Sequence, residues 1–182
     1  MKAFVKEVLI TLVLAAIIFV AARMTIQTFE VEMSSMEPNF YDGQRVVVNK
    51  AAYFFSEPKR GDVIVFREPN GTNDDFIKRV IGLPGDTVAV KDGYVYVDGV
   101  KLDEPYVMEP FQYDMASRKI PEGDYFVLGD NRNHSNDSED GWLLPRDNII
   151  GKAWLSTWPP GLWGVIPNYN LDEQIAAAED AS

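Results

Sequence analysis

The sequence predicts a mostly β protein: a domain of coiled antiparallel sheet carried on one N-terminal helix. Three observations predict it. An uncharged apolar run extends from Val8 to Ala22. Beyond Thr25 the apolar residues fall instead into short β-branched runs separated by turn residues. Within TVAVKDGYVYVDGVKL, the dipeptides Asp92-Gly93 and Asp98-Gly99 divide alternating runs, a strong hairpin pattern.

The elements follow in chain order. Lys2 and Lys6 precede the apolar run and Arg23 follows it. A spanning helix needs about 20 apolar residues, so the run reaches that length only with Ala3–Val5 included and the flanking cations snorkelling. The rival reading is a cleaved secretory signal, with Val20 and Ala22 as small residues before a cut. In both readings the N-terminal lysines stay cytoplasmic and the remainder crosses. This divides the chain into residues 1–25, cytoplasmic N-terminus and anchor, and residues 26–182, an extracytoplasmic β-domain. Strands are predicted at Val46–Val48, Val63–Phe66, Phe76–Ile81, through the two hairpins, at Tyr125–Leu128 and from Ile149 to Leu155. Ala51–Phe55 reads as a helical turn or two, Leu171–Ala178 as a short terminal helix, and Glu179–Ser182 as a frayed tail. Residues 91–121 are turn-rich and read as an insertion. No internal repeat is present.

Composition removes several functions. The 182 residues carry a formal net charge of −11, which argues against a nucleic-acid binder. There is no cysteine, so disulfides and thiolate metal sites are excluded, and a single histidine, His134, rules out a histidine-rich metal site. The acidic stretch Asp137-Ser138-Glu139-Asp140 fails the spacing of a calcium loop, with Arg132 where an oxygen ligand belongs. No metal and no cofactor is expected.

Among nucleophiles, the adjacent Ser34 and Ser35 stand out in VEMSSMEPNF, just beyond the apolar run. A serine hydroxyl attacks only when a base takes its proton. His134 lies among small polar residues, where an ordinary solvated histidine is the simpler reading, although a Ser–His–Asp arrangement stays open. Lys78 and Arg79 sit inside the apolar run DDFIKRVIG. On a strand they point to opposite faces, and periodicity alone does not choose which is buried. Arginine stays protonated, whereas a desolvated lysine can become a base. The plainer alternative for Lys78 is a solvated strand lysine.

Taken together, these stretches resemble the type I signal peptidases, membrane-anchored serine–lysine proteases. An anchor is followed by Ser35-Met36-Glu37-Pro38, like the family's Ser-Met-x-Pro. Arg60-Gly61-Asp62 precedes a strand, Lys78-Arg79-Val80-Ile81-Gly82-Leu83-Pro84-Gly85-Asp86 resembles the catalytic-lysine block, and Gly129-Asp130-Asn131-Arg132 comes last. Four blocks in order cover most of the chain. The resemblance implies Ser35 as nucleophile and Lys78 as general base, with Ser135 bonded to the lysine amine and Asp137 and Arg132 supporting. It implies that Phe29, Val31, Val46 and Ile77 line the pocket for the −3 side chain of a substrate. Met36, Phe40, Phe76 and Ile77 would line the −1 pocket. It further implies a monomeric, single-pass protein of the cell membrane. Its expected partners are preproteins bearing signal peptides, and membrane lipid. Since tryptophan suits the interface, Trp142, Trp154, Trp158 and Trp163 are candidates for dipping into lipid; core packing is the alternative for each, favoured for Trp154 and evenly matched for Leu162-Trp163. Several positions depart from the pattern: Met33 where some members place an oxyanion-stabilising serine, Asn39-Phe40 for Thr-Leu, Asn133-His134 for Asp-Asn, and Glu139 for the arginine expected beside Asp137. These departures keep a non-catalytic, peptide-binding or scaffolding relative in play, as well as a conjugation-type or self-cleaving protease with the same dyad.

Overall fold

The structure is a computed structural model that describes residues 2–71 and 74–179. Helix α1 (Lys2–Thr25) is continuous, about 36 Å long at 1.5 Å per residue, more than the roughly 30 Å hydrocarbon core of a bilayer. Its mean hydropathy over Phe4–Thr25 is 2.5, and every side chain from Phe4 to Val20 is exposed. A helix apolar all round and exposed from Phe4 to Val20 is one suited to lipid.

The chain passes from α1 directly into β1 (Ile26–Glu30). There follow β2 (Arg45–Asn49), a 3₁₀ turn (Lys50–Tyr53), β3 (Val63–Arg67), β4 (Asp75–Gly82), β5 (Thr87–Lys91), β6 (Tyr94–Val97) and β7 (Val100–Lys101). Then come β8 (Met115–Lys119), β9 (Asp124–Leu128), β10 (Leu144–Pro145), β11 (Ile149–Trp158), β12 (Gly164–Val165) and helix α2 (Asp172–Glu179). The larger sheet runs β1-β2-β11-β3-β4-β9-β10, with β12 added on β11; the smaller runs β7-β6-β5-β8, and every pairing is antiparallel. The mostly β architecture read from the sequence is the one observed.

Local chemistry accounts for the hairpins. Asp92, Gly93, Asp98 and Gly99 all take positive φ (52°, 83°, 50° and 83°), the mirror-image turn that suits the twist of two paired strands. The stretch 91–121 carries β6, β7 and β8 of the smaller sheet, more ordered than a run of turns. Between the smaller sheet and β4 and β9 lies a core built on Ile81, Val88, Val95, Phe126 and Leu128, which Leu171 and Ile175 of the C-terminal segment complete. A second core around β1, β2 and β4 holds Val31, Met36, Phe40, Val46 and Ile77.

One side-chain expectation changes and one open alternative is decided. Trp154, read as core, is 49% exposed. The register of β11 on β2 shifts between Ala153 and Leu155, so Trp154 is the extra residue of a bulge and turns outward. Trp142, for which the sequence leaves lipid and core packing both open, is half-buried against Phe66, ring centroids 6.1 Å apart, with Nε1 donating to Asn136 Oδ1 at 3.0 Å. The tail expected at Glu179–Ser182 falls, from residue 180 on, outside the described residues.

Candidate active site

Lys78 and Arg79 are both buried, at 3% and 1% exposure, because β4 is covered on each face from Ile77 onward. The alternation that the sequence left undecided therefore has no solvent side here. The two cations meet different surroundings. Lys78 Nζ donates to Ser35 Oγ at 2.5 Å, and Ser35 is 7% exposed. Arg79 makes a bidentate pair with Asp130 (2.8 and 2.7 Å) and donates to the Gly61 carbonyl at 2.9 Å.

Burial is the main influence on Lys78 and pushes its pKa down to about 8, with Asp137 and then Asp130 pulling the other way. About a tenth of such a lysine is neutral at pH 7, against about one in 2500 for an unperturbed one. A neutral amine 2.5 Å from a serine oxygen can remove its proton, so the arrangement is chemically that of an activated nucleophile.

The serine loop is shaped by backbone contacts. Met33 adopts φ 67°, a left-handed conformation rare for a side chain of its size, and its N–H donates to Asp42 Oδ1 at 2.8 Å. Glu37 N–H closes on the Ser34 carbonyl (3.1 Å) and Phe40 N–H on that of Met36 (2.9 Å). Asn131 then grips the pair of serines: its N–H donates to the Ser35 carbonyl and its Nδ2 to the Ser34 carbonyl, each at 3.1 Å. Neither the Ser35 N–H nor the Ser34 hydroxyl has a hydrogen-bond partner among the described residues.

Gly129 lies behind the pair. A Cβ there would come within 2.4 Å of both Ser135 Oγ and the Ser35 carbonyl. Gly129→Ala should therefore displace the serine and slow any reaction at its hydroxyl by about a hundredfold, the size of effect expected when a reacting group is misplaced by about 1 Å. Single-turnover kinetics on the variant would show it; a rate within threefold of the parent would mean that the loop absorbs the methyl group.

The other expected site residues take the following places. Asp137 is fully buried; burial pushes its carboxyl up from the ordinary range, against the Gly129 N–H it accepts at 2.9 Å. Ser135 does not bond the lysine amine. Its Oγ lies near enough to Asp137 to favour that carboxylate, but no group is in hydrogen-bonding geometry with it among the described residues. Arg132 touches neither Ser35 nor Lys78; it supports from behind, bonding the Gly129 carbonyl (3.0 Å) and Glu104 in a bidentate pair (2.9 and 2.7 Å).

A cleft of about 340 Å³ opens over Ser35 and Lys78. Of the residues named for the substrate pockets, Phe29, Phe76 and Ile77 line it. Val31, Met36, Phe40 and Val46 do not: all four are at most 3% exposed and fill the core beneath, because their strand and turn positions point into the sheet packing. In their stead Glu32, Met33, Ser34, Asp74, Asp75, His134 and Asn136 complete the cleft wall. His134 thus reaches the site although Ser35 is bonded to lysine. Asn131 was not singled out beforehand; its place in Gly-Asp-Asn-Arg was the signal available.

The departures from the expected pattern are accommodated. Asn39 Nδ2 donates to Asp130 Oδ2 (2.8 Å) and to the Tyr106 carbonyl (2.7 Å). Asn133 holds Gln112 N–H and the Pro110 carbonyl. Glu139 accepts from the Tyr113 hydroxyl, and burial raises its pKa to about 7, which lessens the charge placed beside Asp137. No group of acidic or histidine residues among those described could hold a metal ion.

The family described as signal peptidase, peptidase S26, matches residues 1–158. The chain belongs to this family, whose members are serine endopeptidases. It is 40% identical over 176 residues to the probable signal peptidase I-1 of Synechocystis, covering 92% of this chain and 90% of that one. It is 36% identical over 167 residues to signal peptidase I of Bacillus licheniformis, covering 86% and 88%. The crystal structure of a signal peptidase I from Enterococcus faecalis V583 is similar at 36% identity and TM-score 0.48, over 53% of this chain and 97% of that one. This signal peptidase family member is thus membrane-associated by family, with one helix long and apolar enough to serve as an anchor.

Proposed function

We propose that this protein cleaves signal peptides from preproteins after small residues at −1 and −3, using Ser35 as nucleophile and Lys78 as general base. The observation that carries the reading is the 2.5 Å contact between a buried, pKa-lowered lysine amine and Ser35 Oγ. Neutral Lys78 takes the Ser35 proton as Oγ attacks the scissile carbonyl. The tetrahedral intermediate collapses to an ester on Ser35, and the amine of the downstream chain leaves with a proton from Lys78. Water then hydrolyses the ester, Lys78 again taking and returning a proton. The unpartnered Ser35 N–H is the donor for the oxyanion. Met33 carries no hydroxyl, and Ser34 borders the same cleft.

Two features fit an extended peptide. Strand β1 is one edge of the larger sheet, and Asp75–Lys78 of β4 carry β3 on one side and no strand on the other among the described residues. Both border the cleft, so a substrate strand can add to either through backbone hydrogen bonds. Phe29, Phe76 and Ile77 then form shallow apolar walls that accept small side chains.

The test is cleavage of a preprotein bearing Ala-x-Ala before its cut, by the full chain in detergent. Release of the mature protein at that bond by the parent, and none by Ser35→Ala, is expected; a Ser35→Ala protein that cleaves as fast as the parent would falsify the assignment.

The reading places α1 as a retained single-pass anchor, N-terminus cytoplasmic, with a monomeric catalytic domain on the outer side. Trp154, Trp158, Trp163 and Val165 are all about half exposed or more on β11, β12 and their connection, in the same sheet that α1 enters through β1 and β2. Tryptophan favours the membrane interface, so these residues are proposed to dip into the outer leaflet. Brominated lipid should quench tryptophan fluorescence of the reconstituted chain, and Trp158→Phe/Trp163→Phe should lose about two-thirds of that quenching, the share expected when two of three rings at the headgroups are removed. Equal quenching in parent and variant would place these rings away from lipid.

A further inference from the structure

We infer that Tyr169, in the C-terminal segment beyond the family's matched residues, is a positioning residue for the Ser35–Lys78 pair. It acts by holding Arg79 on Asp130. The inference rests on the proteolytic reading above where activity is measured.

The C-terminal segment is fastened to the catalytic core at built points. The Tyr169 carbonyl sits where a Cβ on Gly61 would approach to 1.8 Å, so only glycine leaves room for it; Gly61, at φ 89°, is also the residue whose carbonyl accepts from Arg79. The Tyr169 ring packs on Tyr106 (4.9 Å between centroids), and both rings lie against the Arg79 guanidinium, at 5.2 and 4.0 Å. Beyond it, Asp172 pairs with Arg60, Leu171 is buried in the core under the smaller sheet, and Gln174 exchanges two hydrogen bonds with Asp103.

From Arg79 the contacts run on to the nucleophile. Asp130 takes both guanidinium bonds and also accepts from Asn39, whose Nδ2 reaches the Tyr106 carbonyl as well. The next residue, Asn131, holds the carbonyls of Ser34 and Ser35. A guanidinium stacked on aromatic rings loses rotational freedom and keeps its bidentate geometry. Without the Tyr169 ring, Arg79 is freer to leave Asp130, and the turn that grips Ser35 loosens with it.

This predicts a readout that simple destabilisation would not move. The Lys78 amine is faced by Asp137 and Asp130 and by Ser35; Asp74, Asp75 and His134 line the same cleft, and Arg79 is next along the strand. An Asp130 carboxylate less well paired with Arg79 favours the ammonium form of Lys78, so the lysine should titrate higher.

The experiment compares the full chain in detergent with Tyr169→Phe, Tyr169→Ala and Tyr169→Leu, the last keeping bulk where alanine fails to fold. Single-turnover cleavage of the Ala-x-Ala preprotein is followed against pH. In parallel, the Lys78 side chain is titrated by NMR in the inactive Ser35→Ala background, which needs no activity. Tyr169→Phe should match the parent. Tyr169→Leu should lower the pH-independent rate roughly tenfold with KM little changed, and raise the lysine titration by about half a pH unit or more. A lysine titration unmoved in every variant, with activity falling only in proportion to the folded fraction, would overturn the inference, as would a Phe variant as slow as Leu. Failure of the parent to cleave would count against the proteolytic reading alone, since the NMR titration still decides this one.

Discussion

Lys78→Met should lower the single-turnover cleavage rate by about three to four orders of magnitude while leaving the protein folded. Methionine keeps an unbranched chain of similar length in a site that is 3% exposed, so packing is largely retained and the base alone is removed. General-base catalysis contributes about 10² to 10⁴ in rate, and a serine with no base is a weak nucleophile, which places the loss toward the upper end. The parent's pH dependence gives an independent measure. Lys78 must be neutral to act, and burial lowers its pKa to about 8. The rate should therefore rise about tenfold per pH unit below that value and level off above it, because deprotonation creates the active form. Lys78→Met should lose this limb along with the rate. A profile flat from mildly acidic to alkaline pH in the parent would remove lysine as the base.

Asp130→Ala should destabilise the protein by about 3–5 kcal/mol, the usual cost of leaving one member of a buried ion pair unpaired. Arg79 is 1% exposed and directs two bonds at Asp130; alanine would leave that guanidinium with the Gly61 carbonyl and two aromatic faces. For a chain of this length the loss corresponds to a fall in Tm of roughly 10 °C. The double variant Arg79→Met/Asp130→Leu should recover most of the stability, since an apolar pair carries no stranded charge. Denaturation in detergent with circular dichroism would measure both. A single variant within about 1 kcal/mol of the parent would mean that water reaches Arg79, against the burial observed.

The elements with the clearest local chemistry were legible beforehand. The two Asp-Gly turns set positive φ at four residues, and β5, β6 and β7 follow from them. The β-branched runs became β2, β3, β4 and β9 with ends moved by a residue or so, since strand ends depend on which neighbour remains to pair with. Strand β1 was missed because Ile26–Glu30 continues from the apolar helix without a turn residue. The two-residue strands β10 and β12 exist only through their partners and have no pattern of their own. Trp154, read as core, faces outward because a bulge in β11 turns it out of the sheet packing, and a bulge leaves no mark in the sequence.

The sequence by itself determined the chemical types available: no thiol, one histidine, two adjacent serines, and Lys78 inside an apolar run, with motif blocks in the order of a known family. It also determined the apolar helix, because length and hydropathy are local properties. The motif match already pointed to Ser35; the tertiary structure shows how that hydroxyl meets the amine. Ser34 and Ser35 are equivalent by composition. The reversal at Met33 and the grip of Asn131 turn Ser35, across 43 positions of sequence, onto Lys78 Nζ. It decided equally that Lys78 and Arg79 are both buried, since the second face of β4 is covered by contacts from Gly61, Tyr106, Asp130 and Tyr169. Burial, and with it the lowered pKa of a base, is a property of what packs around a residue, and those neighbours lie far along the chain.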